Sequence, residues 1–283
     1  MALPGISVIM PSFNQAAFLE QAIQSVLAQG YPHLQFGIVD GGSTDGSAAI
    51  IERYRHRLDF AIVEPDRGQS DALNKGLARA RGQVLGWLNS DDTLLPGALL
   101  TVGGWFAAHP QSLWLIGRAR RIDAAGRNLG PLRPAGLFSA AGALLRDVPF
   151  CIPQPATFWR RPLSDRAGLL DVNLHHAMDF DLWVRFFLDG AEPDLLDAEL
   201  ATYREHPGSK TCTQANAFIR ALIQIEKRYL PRLNPQQQQT LRRRLGYQRR
   251  ALATRQPRGE LWAQVLYHPW WLLSQQIRQA LAA

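Results

Sequence analysis

Between residues 6 and 92 one pattern recurs and leaves the fold little freedom. A short apolar run gives way to a polar turn, then to a segment with apolar residues at helical spacing, then to the next apolar run. Residues 6–10, 34–39, 60–63 and 84–88 are the strand-like runs, rich in Ile, Val, Leu and Phe. Between them Leu19, Ala22, Ile23, Val26 and Leu27 recur on one helical face, a helix is expected from about 47 to 54, and Ala72, Leu73, Leu77 and Ala80 mark a third. Asn14 stands where an N-cap would begin the first helix. Strand and helix alternating with short loops predict an α/β chain with a mostly parallel sheet flanked by helices.

Ligands of such a sheet sit beyond the carboxyl ends of its strands. Three carboxylates fall there: Asp40 after the second run, and Asp91 and Asp92 after the fourth. Adjacent acids suit a hard divalent cation, which takes oxygen ligands and commonly binds a substrate phosphate as well. The competing reading is that Asp91 and Asp92 only cap the helix that opens after Pro96. No phosphate-loop lysine motif and no G-x-G-x-x-G follows the first strand, which argues against ordinary ATPase and dinucleotide-binding chemistry.

Further along, residues 99–106 carry a helical stripe, 113–117 read as a strand, and 123–126 as the turn of a hairpin. Residues 130–150 read as a loop or short helix, 157–159 as a short strand, 178–188 as a helix and 195–203 as a last strand. Charge divides the chain unevenly. Residues 1–214 hold 19 Lys+Arg against 22 Asp+Glu, a net −3, whereas 215–283 hold 12 against 2, a net +10. That shift sets an expected boundary between a 1–214 domain and a 215–283 basic helical extension. The extension carries Arg242, Arg243, Arg244, Arg249 and Arg250, then Trp262, Tyr267, Trp270 and Trp271. It reads either as a solvated basic face or as an anchor on an anionic membrane surface, with tryptophans at the headgroup level. The acidic balance of the first 214 residues argues against a nucleic-acid partner. Two distant cysteines form neither a disulfide framework nor a metal-ligand spacing. With no secretory signal and no membrane-length apolar run, the expected location is cytoplasmic, or peripheral on the inner face of the cell membrane.

Six segments, in order, carry a resemblance. Ser7-Val-Ile-Met-Pro-Ser-Phe-Asn14, Ile38-Val-Asp-Gly-Gly-Ser-Thr-Asp45, Asp71-Ala-Leu-Asn-Lys-Gly76, Leu88-Asn-Ser-Asp-Asp92, Ala177-Met-Asp-Phe-Asp-Leu-Trp-Val-Arg185 and Arg204-Glu-His-Pro-Gly-Ser-Lys210 resemble the family 2 glycosyltransferases. The resemblance spans roughly residues 6–211 and leaves the basic extension outside. It implies the GT-A fold, Rossmann-like, here with a C-terminal helical extension. It also implies an inverting, metal-dependent transfer of sugar from a nucleotide-sugar donor, UDP-linked by the family's habit. The acceptor would be a hydroxyl of a saccharide or lipid-linked molecule in cell-surface polysaccharide or glycolipid synthesis.

The family's roles fall on this chain residue by residue. Pro11, Ser12 and Phe13 would line the base pocket, Asp40 would accept a hydrogen bond from the base, and Asp71 would lie near the nucleoside. Asp91 would hold the ribose or the water shell of the metal, Mn2+ or Mg2+. Asp92 and His206 would be metal ligands, and Asp179 the catalytic base. Gln154 resembles a family segment near the acceptor, against which stands a plain proline-rich loop. Trp183 has the spacing of a core residue, with the floor of an acceptor pocket as the other option. Gly41 replaces an acid common in the family, and Met178 replaces a common Glu before Asp179. The second change leaves open a non-catalytic nucleotide-sugar binding module. A sugar nucleotidyltransferase is a further alternative, disfavoured because Pro11-Ser-Phe-Asn14 is not a glycine-rich basic loop.

Overall fold

The computed structural model describes residues 2–146 and 150–253. They fall into two compact units, Met1–Pro134 with Ile152–Glu205, and Ala135–Cys151 with His206–Ala283. The first unit is built around β1 (Ile6–Ser12), every residue of which is buried. Helix α1 (Ala16–Leu27) leads to β2 (Leu34–Asp40), α2 (Ser47–Tyr54) to β3 (Phe60–Val63), and α3 (Gln69–Leu77) to β4 (Val84–Trp87). All pairings among these strands are parallel. The helices pack by the stripes that the sequence shows: α1 buries Leu19, Ala22, Ile23 and Val26. Close approach of α3 to β1 requires Gly76, because a Cβ there would stand 2.3 Å from Ile9 Cγ2.

Asn14 is not the N-cap of α1. It adopts φ +52°, in the left-handed region that Asn tolerates. Its Oδ1 accepts from Thr44 N at 2.9 Å, and its own N donates to Ser43 Oγ at 2.8 Å. The loop after β1 is thereby tied to the loop after β2.

Beyond β4 the pairing becomes mixed. The chain continues through β5 (Thr93–Leu94), α4 (Ala98–Ala108), β6 (Trp114–Asp123) and β7 (Asn128–Leu132), the last two being the expected hairpin. Helix α5 (Ala140–Leu145) belongs to the second unit. The first unit resumes with β8 (Thr157–Arg160), α6 (Arg161–Ala167), α7 (Met178–Leu188) and β9 (Asp194–Glu205). The sheet order is β3-β2-β1-β4-β8-β6-β9-β5, with β7 on β6. β8 runs antiparallel to both neighbours and β5 antiparallel to β9, while β6 and β9 are parallel.

The core under this half is aromatic. Trp183 of α7 stacks on Trp87 at a 5.7 Å centroid distance and a 5° interplanar angle, and on Trp114 at 5.5 Å. Trp159 meets Trp183 edge-on at 5.8 Å. Each such pair adds about 0.5–1.5 kcal/mol beyond the area it buries. Trp183 is 2 % exposed and enclosed by other rings, the core placement that its helical spacing predicts.

The second unit holds α5, α8 (Lys210–Thr213), α9 (Ala215–Tyr229) and α10 (Pro235–Ala253). Ile219, Leu222 and Ile223 of α9 are buried, as are Leu241 and Leu245 of α10. Among them lies Glu226, fully buried, which accepts from Arg146 and, at 2.8 Å, from Arg244 Nη2. The unit boundary falls at Glu205/His206 instead of 214/215, and residues 135–151 join the second unit, so the charge shift marks the division only nearby. Among the described residues no helix is long and apolar enough to cross a membrane. Trp262, Tyr267, Trp270 and Trp271, with their anchoring expectation, lie outside the described residues.

Candidate functional site

Because β2, β1 and β4 are parallel neighbours, their carboxyl ends open on one edge of the first unit. Strands in a sheet stand about 4.8 Å apart, so groups ending β2 and β4 are separated by roughly 10 Å. That span matches an extended ligand laid across the edge.

At its β2 end, Ser12 pairs in register with Asp40. Asp40 is fully buried; its Oδ1 accepts from Gly42 N at 3.1 Å and Ser43 N at 2.7 Å, and its Oδ2 from Ser43 Oγ at 2.7 Å. Much of its accepting capacity therefore shapes the turn, and Oδ2 keeps a free lone pair. Ser12 Oγ is buried without a hydrogen-bond partner, an uncommon state that a ligand donor or acceptor would relieve. Pro11 is buried, whereas Phe13 next to it is 60 % exposed, an aromatic face open to solvent at the strand end. Asp71, on α3, accepts from Arg67 N at 3.1 Å and from Arg67 Nη2 at 3.2 Å. The Arg67 amide first, then its guanidinium, hold this carboxyl below the usual range.

At the β4 end stand Asp91, half-buried, and Asp92, 2 % exposed. Asp92 Oδ1 accepts from Arg204 N at 2.8 Å, and Oδ2 meets only a long 3.5 Å approach of Asn89 Nδ2. Burial, and then the neighbouring charge of Asp91, push the Asp92 carboxyl well above the usual range. A buried acid so poorly compensated needs a proton or a cation. Among the described residues no three His, Cys, Asp or Glu converge on one ion position. A cation at Asp91 and Asp92 would take its remaining ligands from water and substrate phosphate, as Mg2+ sites usually do.

Asn89 is held from both sides. Gln69 Nε2 donates to its Oδ1 at 2.8 Å, and its Nδ2 donates to Gln154 Oε1 at 3.1 Å. Gln154 Nε2 in turn donates to Trp87 O at 2.8 Å, and the residue is 9 % exposed. Gln154 is thus a brace under the acid turn, with one bond at each end of its amide made inside the protein.

Asp179 lies in the first turn of α7, half-buried, with Oδ1 accepting from Phe180 N at 2.8 Å. Burial pushes its pKa up. Trp183, one helical turn later, stacks on Trp87, so the start of α7 is carried to the end of β4. The segment before α7 is pinned to α3: Ser70 Oγ donates to Leu174 O at 3.0 Å, and Asn74 bonds both the O and the N of Leu170. Asp181 is spent on Arg185 at 3.0 Å. The first unit holds Ser12, Asp40, Asp91 and Asp92 at or just beyond the carboxyl ends of β1, β2 and β4, and Asp179 in the first turn of α7, whose Trp183 stacks on Trp87 of β4. His206, 8 % exposed, belongs to the second unit, directly after β9 in the chain.

Sequence reasoning missed Arg204 as a site-building residue, together with Gln69 and the bracing role of Asn89. Arg204 was visible only as part of a motif, and an arginine 3 % exposed runs against the usual placement of that side chain.

The chain is similar to known proteins in sequence and in fold. The sequence profile for glycosyl transferase family 2 matches residues 7–167. TuaG of Bacillus subtilis (strain 168), which carries a teichuronic acid biosynthesis glycosyltransferase name, is 40 % identical over 92 residues, covering 31 % of this chain and 36 % of that protein. A PGL/p-HBAD biosynthesis glycosyltransferase of Mycobacterium bovis (strain BCG / Pasteur 1173P2) is 28 % identical over 227 residues, 78 % of this chain and 85 % of its own length. The aligned part thus spans about a third of TuaG and most of the mycobacterial protein. Among solved structures, S. aureus TarS 1–349 with UDP-GlcNAc superposes with TM-score 0.61 at 20 % identity, over 78 % of this chain and 65 % of that one. The mannosyltransferase PcManGT of Pyrobaculum calidifontis, with GDP-Man and Mn2+, superposes with TM-score 0.63 at 18 % identity, over 100 % and 79 %. The architecture is that of the GT-A glycosyltransferases, and with the profile covering more than half of its length, the chain belongs to glycosyl transferase family 2.

Proposed function

We propose that this protein transfers a sugar from a nucleoside-diphosphate donor to a hydroxyl acceptor, with inversion at the anomeric carbon. The observation that carries the reading is Asp92: a carboxylate buried beside a second acid, at the strand end where a diphosphate would lie, with one oxygen nearly uncompensated. Asp91 and Asp92 would hold a divalent ion, Mn2+ or Mg2+, with water and substrate phosphate as its remaining ligands. When bound, that ion supplies neutralisation of the charge that develops on the leaving diphosphate.

The chain's own residues do the rest. Phe13 offers a ring face to the base, with Pro11, Ser12 and Asp40 behind it. Asp71 supports the nucleoside side through α3. Asp179 Oδ2, left free by the Phe180 amide, takes the acceptor's proton as its oxygen bonds to the anomeric carbon. The bond from that carbon to the diphosphate oxygen breaks, and its electron pair leaves with the nucleoside diphosphate. A base on the acceptor side, opposite the leaving group, gives inversion. General-base assistance of this kind is worth about 10²–10⁴-fold.

The structural neighbours hold UDP-GlcNAc and GDP-Man, which supports the donor class without choosing the base. The names of the relatives, teichuronic acid and PGL/p-HBAD biosynthesis, support a saccharide or lipid-linked acceptor. The test is a panel of UDP- and GDP-sugars with Mn2+, following nucleoside diphosphate release with and without candidate acceptors. Metal-dependent release from at least one donor is the expected result. Donor binding without release under any condition would favour the non-catalytic binding module that Met178 leaves open.

A further inference from the structure

Arg204, at the end of β9, is the most heavily used side chain behind the acid turn. Its Nε donates to Asp91 O at 2.7 Å. Its Nη1 donates to Asp123 O at 3.2 Å and Ala124 O at 3.3 Å, in the β6–β7 turn. Its Nη2 donates to Gln21 Oε1 at 2.7 Å on α1, and its guanidinium lies 4.9 Å over the Phe18 ring. The backbone N of the same residue fixes Asp92 Oδ1. Next door, Thr93 N donates to Thr202 Oγ1 at 3.1 Å, so β5 is stitched to β9 where the acid turn ends.

These contacts have one consequence. The Asp91–Asp92 turn is short and polar, and nothing in its own sequence fixes the direction of either carboxylate. Arg204 acts on both residues: its side chain grips the Asp91 backbone carbonyl, and its main-chain N holds one Asp92 carboxylate oxygen. We infer that Arg204 is a positioning residue for cation binding: its side chain holds the backbone of the turn from which both acids project. Arginine suits the task because its planar fork reaches three backbone carbonyls and one amide at once, which a lysine ammonium on one stem cannot. The inference rests on the proposed cation site and deepens it.

Groups that orient metal ligands typically govern affinity by 10–100-fold when removed. The test is Mn2+ binding followed by electron paramagnetic resonance, in the presence of UDP or GDP, for the full chain and for Arg204→Lys, Arg204→Gln and Gln21→Ala. Arg204→Gln is expected to weaken Mn2+ binding 10–100-fold, Arg204→Lys to recover only part of it, and Gln21→Ala to weaken it by a smaller factor. Nucleotide binding measured without metal is expected to change less than threefold, and thermal melts identify variants that are folded. If Arg204→Gln does not fold, the Lys and Gln21 variants carry the test. A folded Arg204 variant with wild-type Mn2+ affinity overturns the inference and leaves the proposed function intact. A wild-type chain that binds nucleotide but no Mn2+ overturns the cation site and this inference together.

Discussion

Asp179→Asn separates chemistry from architecture in a way few substitutions can. Asparagine keeps the shape of the side chain and an oxygen able to accept from the Phe180 amide at 2.8 Å, so the start of α7 should hold its place. What disappears is the capacity to take a proton. The expected loss in kcat is about 10²–10⁴-fold, or about 2.7–5.5 kcal/mol of barrier, with donor affinity unchanged within about twofold. Stability should move the other way. Burial raises the Asp179 pKa in the folded protein, so between the unfolded carboxyl's value near 3.8 and the folded one, the native state binds more protons than the unfolded state. Wild-type stability therefore falls as pH rises through that window and is flat above it. The Asn variant lacks this decline and at neutral pH should melt no lower than wild type. The wild-type rate should show an acid limb displaced upward from the ordinary carboxylate range, because the base acts only when ionised. Nucleoside diphosphate release and melting curves from pH 4 to 8 supply both readings. Full activity in the Asn variant, or a melting temperature lowered by several degrees with no pH-dependent difference, would refute the reasoning.

Three further outcomes can be checked. Asp92→Asn removes the charge that a cation neutralises, so calorimetry should show the Mn2+-dependent part of nucleotide binding gone while the fold is retained. Glu226→Ala leaves Arg146 and Arg244 without their shared buried counter-charge, and chemical denaturation should register a loss of about 3–5 kcal/mol. Gly86→Ala places a Cβ 2.6 Å from Phe158 Cδ1, between β4 and β8, and should cost about 1–3 kcal/mol through overpacking.

The first half of the fold was legible because its signals are local. Burial of one helical stripe and short β-branched runs determine β2, α2 and β3 to within a residue, and α1 except that it stops at Leu27, short of the end expected near Gly30. β5 could not be read, since Thr93–Leu94 owes its strand character to Thr202 across the gap. Helix α6 begins at Arg161-Pro and has a mostly polar surface, so it lacked an apolar period. The mixed pairing around β8 depends on which strands meet in space, and Trp87, Trp114, Trp159 and Trp183 reveal their shared cluster only once they have met.

The site divides along the same line. Asp40, Asp91 and Asp92 stand out in the sequence because they follow apolar runs, and Asp179 because of its motif context. Gln154 and Trp183 kept two readings each because a glutamine near a proline and a tryptophan on a helix look alike in sequence whether they face a ligand or a neighbour. Arg204 went unread for a related reason: its value lies in carbonyls of Asp91, Asp123 and Ala124, and carbonyls are invisible to sequence patterns.

Crystals soaked with MnCl2 and UDP or GDP, with anomalous scattering recorded for manganese, test the central claim most directly. The account predicts a manganese peak about 2.0–2.6 Å from an Asp92 carboxylate oxygen, with the diphosphate against it and the base beside Phe13. Nucleotide and manganese bound together at any other place on the protein would contradict it.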